Sequence, residues 1–105
     1  MTKATVVQMI TRMGLPYAYD HFAEGESPEP PFLVYLYPSS NNFAADGIVY
    51  HKRDRLHIEL YTDKKDPDLE DRIESVINGY GLFFNKSETW IPSEKLYEVL
   101  YQMEV

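Results

Sequence analysis

The chain has 105 residues, a size typical of one domain whose hydrophobic core needs neither disulfides nor metals. It contains no cysteine, which excludes disulfide frameworks, thiolate metal sites and cysteine nucleophiles. The 17 acidic and 10 basic side chains give a formal net charge of −7, which disfavours binding to a phosphate backbone. No segment approaches the ~20 apolar residues of a membrane span. We therefore expect a single domain over residues 1–105, made in the cytoplasm, without a membrane partner.

The N-terminal third predicts one helix and two strands. Apolar residues recur at helical spacing from Thr5 to Met13, and Gly14 ends that helix. Residues 17–22 could form a short strand. Phe32–Tyr37 predicts a central strand buried on both faces, because nearly all of its residues are β-branched, aromatic or leucine. Between these strands, residues 23–31 are rich in proline and glutamate, which predicts an exposed loop.

The middle of the chain predicts an antiparallel hairpin that follows a second exposed loop at residues 39–46. Ile48–His51 is expected to pair with Arg55–Thr62 across the turn between them. The basic residues at positions 52–55 lie at this turn and are interpreted as solvated turn charges. Alternating residues of the second strand are apolar, which is typical of a sheet with one buried side: Leu56, Ile58 and Leu60.

The apolar period changes from two to about 3.6 between residues 56 and 77, which indicates a strand that runs into a helix. Asp66 suits the N-cap, Pro67 suits the first helical position, and acidic residues follow where the helix dipole favours them. The helix is therefore expected from Pro67 to Asn78. Its buried stripe consists of Leu69, Ile73, Val76 and Ile77.

The C-terminal segment is expected to add further strands. Leu82–Phe84 and Thr89–Ile91 predict two short strands on either side of a turn at Asn85–Glu88. Residues 95–105 fit both a strand and a helix. The strand is favoured, because more positions alternate than recur at helical spacing. The fold class is α+β: a mainly antiparallel sheet of mixed order, two helices packed on one side, and the element order α-β-β-β-β-α-β-β.

The residues carry no recognisable catalytic motif. His51 and His57 could approach each other across the predicted hairpin near Glu59, but histidine spacing alone is a weak signal of a metal site. The acidic residues between positions 63 and 71 lack the glycine and final glutamate of an EF-hand, and helix capping explains them better. We expect a protein that is not an enzyme. It should have no catalytic, cofactor-binding or metal-binding residues, no cofactor and no small-molecule substrate.

Aromatic residues make up 14% of the chain and include nine tyrosines. This enrichment follows equally from a sheet-rich fold and from an oligomer interface, and both interpretations stay open. Tyr35 and Tyr37 alternate on one face of their predicted strand, and Phe43 lies within a polar loop. The candidate residues of an assembly interface are therefore Tyr35, Tyr37, Asn41, Asn42, Phe43 and Asp46.

Two segments of the sequence resemble a family of phage proteins. The strand-to-helix junction ELYTDKKDP at residues 59–67 and the ending SEKLYEVLYQMEV at residues 93–105 carry the resemblance. They are similar to segments of small prophage proteins of Gram-positive bacteria that are encoded among the head–tail joining genes. Those proteins are in turn similar to the tail-terminator, or tail-completion, proteins of long-tailed phages (siphophages). The resemblance covers the chain from Phe32 onward.

The resemblance implies an α+β protomer that assembles as a hexameric ring, caps the tail tube and docks to the head connector. The implied partners are copies of the chain itself, tail-tube and head-connector proteins, and DNA that passes without specific binding. The implied location is the virion, and the implied role of the matching residues is mainly structural: Glu59, Tyr61, Thr62, Asp66 and Tyr101. The alternatives are another neck or minor capsid protein, or an acidic cytoplasmic binding module that mimics DNA.

Overall fold

The computed structural model describes residues 1–40 and 53–105, together with the backbone of residues 43–45 and 48–51. Over these residues the chain forms two helices and seven strands, which confirms the α+β class. In chain order the elements are α1 (Lys3–Thr11), β1 (Tyr17–Tyr19), β2 (Phe32–Leu36), β3 (Phe43–Ala45), β4 (Ile48–His51), β5 (Arg55–Thr62), α2 (Pro67–Gly79), β6 (Phe84–Ile91) and β7 (Leu96–Glu104).

Five of the strands form one mixed sheet in the order β1-β2-β5-β7-β6. β1 runs parallel to β2, and every other pair of neighbours in this sheet is antiparallel. The central strand is β5, because β2 and β7 pair with its two edges along most of its length. The prediction that Phe32–Tyr37 forms the central strand is therefore wrong. That strand, β2, lies second from the edge and is flanked by the short β1.

The predicted hairpin between residues 48 and 62 is also wrong. β4 pairs with β3 in a separate two-stranded sheet, and β3 adds a strand inside the segment that was predicted to be a loop. The prediction that Ile48–His51 forms a strand is confirmed, but a local pattern does not specify a partner. Both edges of β5 are occupied by β2 and β7, so β4 has no edge of β5 to join.

The C-terminal hairpin consists of two long strands. β6 is continuous from Phe84 to Ile91, whereas a turn had been predicted at Asn85–Glu88. The polar run is compatible with a strand because β6 is an edge strand whose side chains are mostly exposed. The turn lies at residues 92–95 instead, where Lys95 has a φ of 54°. The favoured strand over residues 95–105 is confirmed, since β7 pairs with β5 over eight residues.

Both helices pack on one side of the sheet, as predicted. Oγ1 of Thr2 accepts a hydrogen bond from the Thr5 backbone N–H (3.1 Å) at the start of α1, and Oδ1 of Asp66 caps α2 in the same way. The helices and the facing strands share one hydrophobic core. Its fully buried members include Val6, Met9, Ile10, Leu33, Leu56, Ile58, Leu60, Ile73, Ile77, Val99 and Tyr101.

Neither helix in the described part of the chain is long and apolar enough to cross a membrane.

Because both helices pack on one side, the sheet has two unlike faces. We call the side that packs against α1 and α2 the covered face, and the opposite side the open face. Successive residues of β5 alternate between them, so that Leu56, Ile58 and Leu60 lie on the covered face, and His57, Glu59 and Tyr61 lie on the open face.

Candidate assembly interface

The two predicted tyrosines belong to a tyrosine cluster at the β1 edge of the covered face, formed by Tyr17, Tyr19, Tyr35 and Tyr37. The ring of Tyr35 contacts Tyr19 edge-on at 5.2 Å between centroids, and Tyr17 lies 6.2 Å away. Tyr35 and Tyr37 are partly buried against the core, whereas Tyr19 is 50% exposed. Sequence analysis missed Tyr17 and Tyr19, although their alternation about Ala18 in a short strand was visible. These two residues present the accessible part of the cluster.

Tyr37 ties the start of α1 to the sheet. The Lys3 Nζ atom lies 3.4 Å from the centroid of the Tyr37 ring and forms an ion pair with Asp54 at 2.6 Å. Burial, together with Tyr35, Asp54 and Tyr19 nearby, raises the pKa of Tyr37 to about 12, so its hydroxyl stays protonated at neutral pH. The backbone N–H of Tyr37 donates to the Tyr19 hydroxyl at 3.2 Å. Tyr37 therefore supports the accessible tyrosines from within the protomer.

The remaining candidate interface residues lie in the segment between β2 and β5. Phe43 is the first residue of β3 and pairs with His51 of β4 along the backbone. Asn41, Asn42 and Asp46 fall outside the described residues. The structure thus brings together Tyr35 and Tyr37 of the predicted set.

On the open face, the end near β2 is apolar and buried. Phe32 and Val34 are both buried there, although no described helix covers this side of the sheet. Phe22 packs edge-on against Phe32 at 5.3 Å, and Phe32 stacks on Tyr61 at 5.2 Å. This end of the open face is therefore shielded in part by the chain that leads from β1 to β2.

Further along the open face, two carboxylates share one hydroxyl group. The Tyr61 hydroxyl lies 2.8 Å from Oε1 of Glu59 and 3.1 Å from Oε2 of Glu98. Burial raises the pKa of Glu59, and although the Tyr61 hydrogen bond opposes this shift, the nearby Glu98 and Asp20 add to it. Among the described residues, no group of three or more histidine, aspartate or glutamate side chains is placed to hold a metal ion. The described groups in this contact are two carboxylates and one hydroxyl, which concentrates negative charge at this point of the open face.

At the far end of the open face lies a groove of about 610 Å³. We define it by six of its lining residues: Arg53, Arg55, His57, Phe83, Asn85 and Glu104. Phe83 is 82% exposed. Burial and the neighbouring Arg55 lower the pKa of His57 below 6.5, so the positive charge of the groove at pH 7 comes from the two arginines. Glu104 lies opposite Arg55 in the β5–β7 ladder. Sequence analysis interpreted these arginines as turn charges and did not connect them with Phe83.

On the covered face, an ion-pair network joins α2 to β6 and β7. Glu70 is only 3% exposed, and it accepts hydrogen bonds from Lys65 at 2.7 Å and from Lys86 at 2.8 Å. Burial acts to raise the pKa of Glu70, but the hydrogen bonds from the two lysines outweigh it and lower the pKa. The Tyr101 hydroxyl and Lys86 both donate to Glu74. The network thus holds α2 against β6 and β7 through ion pairs and hydrogen bonds.

A scan of protein-family models finds no match to this chain, and a search of curated proteins finds none either. Among the described residues, three exposed features stand out. The tyrosines of β1 lie at one edge of the sheet, the groove with Phe83 spans the ends of β5, β7 and β6, and three exposed glutamates lie in the chain between β1 and β2.

Proposed function

We propose that this protein is a structural component of the head–tail junction of a tailed phage or prophage. In this proposal it is a tail terminator that assembles as a ring on the tail tube and docks to the head connector. Its partners are copies of itself, tail-tube protein and connector protein. The sequence resemblance at residues 59–67 and 93–105 supports this class. The first segment covers the end of β5 and the junction to α2, and the second covers the end of the turn before β7 and β7 itself.

The observation that carries the proposal is the arrangement of the exposed surfaces. The accessible tyrosines lie on β1, one edge strand of the five-stranded sheet, whereas the groove with Phe83 spans the ends of β5, β7 and β6. A contact between unlike patches is heterologous, and repetition of such a contact generates a ring when the rotation closes. Surfaces of this kind are what a ring subunit requires, and aromatic side chains are enriched at such interfaces.

The acidic composition suits the same role. A formal charge of −7 on each protomer would give a ring a strongly negative potential. Carboxylates that face the lumen would repel DNA, so that the duplex would pass during ejection without adhering to the wall. The exposed Asp68 and Asp71 of α2 are suitable residues for such a lining.

The proposal is tested by locating the chain in virus particles. Particles are induced from the cell that carries the gene, purified, and labelled with an antibody against the chain. We expect label at the neck and a ring of this protein after mild dissociation of the tails, seen by native mass spectrometry. Label on the capsid or at the connector alone would favour another neck or minor capsid protein. Absence from particles, together with a stable monomer in solution, would favour the acidic binding module.

A further inference from the structure

We propose that the segment between β1 and β2 of one copy docks into the groove of a second copy. We call residues 24–31 the acidic loop. The site that it enters is the groove defined above, which is lined by Arg53, Arg55, Phe83 and their neighbours. The inference rests on the proposed function, because it names the segment that follows the β1 tyrosines in the chain as the part that enters the groove when protomers join in the ring.

The acidic loop has the chemistry of a ligand for a basic, aromatic surface. Glu24, Glu26 and Glu29 are exposed, and three prolines, at positions 28, 30 and 31, lie among or directly after them. Proline-rich segments pay little entropy on binding because their backbone is already restricted, and they pack well against aromatic rings. The loop therefore combines exposed carboxylates with half-buried pyrrolidine rings on one short segment.

The groove is complementary to both the carboxylates and the prolines of the acidic loop. Arg53 and Arg55 are exposed at its wall, and a guanidinium group can bind a carboxylate through two parallel hydrogen bonds. Phe83 lines the same groove with 82% of its surface accessible, so its ring is available to pack against an incoming apolar segment. Glu104 at the same wall offsets one of these two charges, so the groove keeps an excess of one positive charge.

The acidic loop does not occupy the groove of its own protomer. It leads into Phe32, which pairs with Tyr61 at one end of β5, whereas the groove begins at Arg55 and His57 at the other end. From His57 to Tyr61 the strand spans about 13 Å. The loop also lies on the β2 side of β5, whereas Phe83 precedes β6 on the far side, and no residue of the loop lines the groove.

Docking between copies gives the acidic loop and the groove each a partner of opposite charge. Protomers that each carry a charge of −7 repel one another, so their association needs a local pairing of opposite charges. A loop at one end of the sheet and a groove at the other make a head-to-tail contact, which continues from copy to copy and forms a ring when the rotation between copies closes. The chain itself thus supplies both halves of the interface, and a second copy is the occupant that its charges favour.

Disulfide trapping tests this contact directly, because the chain has no cysteine of its own. A Ser27→Cys variant is mixed with an Asn85→Cys variant under mild oxidation, so that one thiol lies in the acidic loop and the other at the groove. The matched control pairs Ser27→Cys with Ser75→Cys, an exposed position on α2. At ~50 µM protein we expect the loop–groove disulfide to form ~10-fold faster than the control, because docked thiols have millimolar effective concentrations.

Charge reversal then shows whether the contact depends on the named side chains. Arg53→Glu with Arg55→Glu, added to the Asn85→Cys chain, should reduce the rate to that of the control. Glu24→Lys, Glu26→Lys and Glu29→Lys, added to the Ser27→Cys chain, should restore the rate when the two reversed chains are mixed. Lys64→Glu with Arg72→Glu changes the net charge by the same amount at two exposed positions outside the groove, and this control should leave the rate unchanged. Circular dichroism and thermal melts confirm that each exposed substitution leaves the fold intact.

The contact is overturned if the loop–groove rate equals the Ser75→Cys control, or if charge reversal fails to change it. If that happens while the chain still labels the neck and forms rings, the loop–groove assignment is wrong and the head–tail proposal stands. If the disulfide forms as expected but the chain is absent from particles, the contact is supported and the head–tail proposal fails. If the acidic loop instead docks within its own chain, the Ser27→Cys and Asn85→Cys double variant cross-links without forming dimers, which also overturns the contact.

Discussion

The covered and open faces belong to the same five strands, yet they shift the pKa of a glutamate side chain in opposite directions. On the covered face Glu70 is balanced by Lys65 and Lys86, and its pKa is lowered although the side chain is buried. On the open face Glu59 has a hydroxyl group and a second carboxylate beside it, and its pKa is raised. The buried carboxylate of the covered face thus has its counter-charges within the protomer. On the open face the carboxylates of Glu59 and Glu98 lie together, and the ring of Phe83 is 82% exposed.

The largest effect should come from β5, where neighbouring residues face opposite sides. Ile58 is fully buried in the core, and truncation to alanine should cost about 2–5 kcal/mol of the free energy of unfolding, because it leaves a cavity. Changing the adjacent His57 on the open face to alanine should lower the free energy of unfolding by less than ~1 kcal/mol. Urea unfolding of the two variants measures the difference. Equal losses would contradict the assignment of the two faces.

Glu70→Gln should have the next largest effect. The substitution leaves two lysines without their shared carboxylate, so we expect a loss of about 1–3 kcal/mol at pH 7. Because the pKa of Glu70 is lower in the folded protein than its ordinary 4.5, this stabilisation is present above pH 4.5. It is lost as the pH falls through the folded value. Denaturant unfolding from pH 7 to pH 2 should therefore show the wild type and the variant converging at the acid end.

The exposed Glu94 is the matched control for this substitution. It lies in the turn between β6 and β7, and Glu94→Gln removes the same charge without breaking a buried contact. We expect its stability to stay within ~0.5 kcal/mol of the wild type at every pH. If Glu70→Gln behaves like Glu94→Gln, the network does not hold α2 on the sheet.

Glu59→Gln should act in the opposite direction, with a smaller effect. The pKa of Glu59 is raised in the folded protein, so the folded state holds its proton more tightly than the unfolded state does. The ionised carboxylate therefore costs stability above the folded pKa and costs nothing below pH 4.5, where both states are protonated. We expect a gain of up to about 1 kcal/mol at pH 7 that disappears at low pH. A loss at pH 7 would show that the carboxylates are balanced by a contact on the open face.

The covered face was largely predictable from sequence because its determinants are local. Alternation placed Leu56, Ile58 and Leu60 on the buried side, and helical spacing placed Ile73 and Ile77 against them. The Asp66 cap followed from residue chemistry within one turn. These features depend on neighbours at most four residues apart in the sequence, which is the range over which periodicity and capping act.

The open face was not predictable in the same way, because its features join distant segments. The groove is assembled from residues 53–57, 81–85 and 102–104, and their proximity depends on the order β5-β7-β6. The pairing of β4 with β3 is likewise a choice between partners that no local pattern decides. Arg53 and Arg55 were interpreted as turn charges since the sequence gives no sign of Phe83 beside them. A sequence pattern predicts which way a side chain points, but not which other segment lies next to it.

The smallest effect on stability, and the sharpest contrast between the faces, should come from two exposed aromatic residues. Phe83→Ser removes a ring that is 82% exposed at the groove, so we expect the free energy of unfolding to change by less than ~0.5 kcal/mol. The same variant should slow the disulfide between positions 27 and 85 of two copies. Trp90 is 45% exposed but contacts Tyr97 at 4.7 Å, so Trp90→Ser should cost about 1 kcal/mol and leave the cross-linking rate unchanged. If Phe83→Ser destabilised the fold and left cross-linking intact, its ring would serve the protomer and not a neighbouring copy.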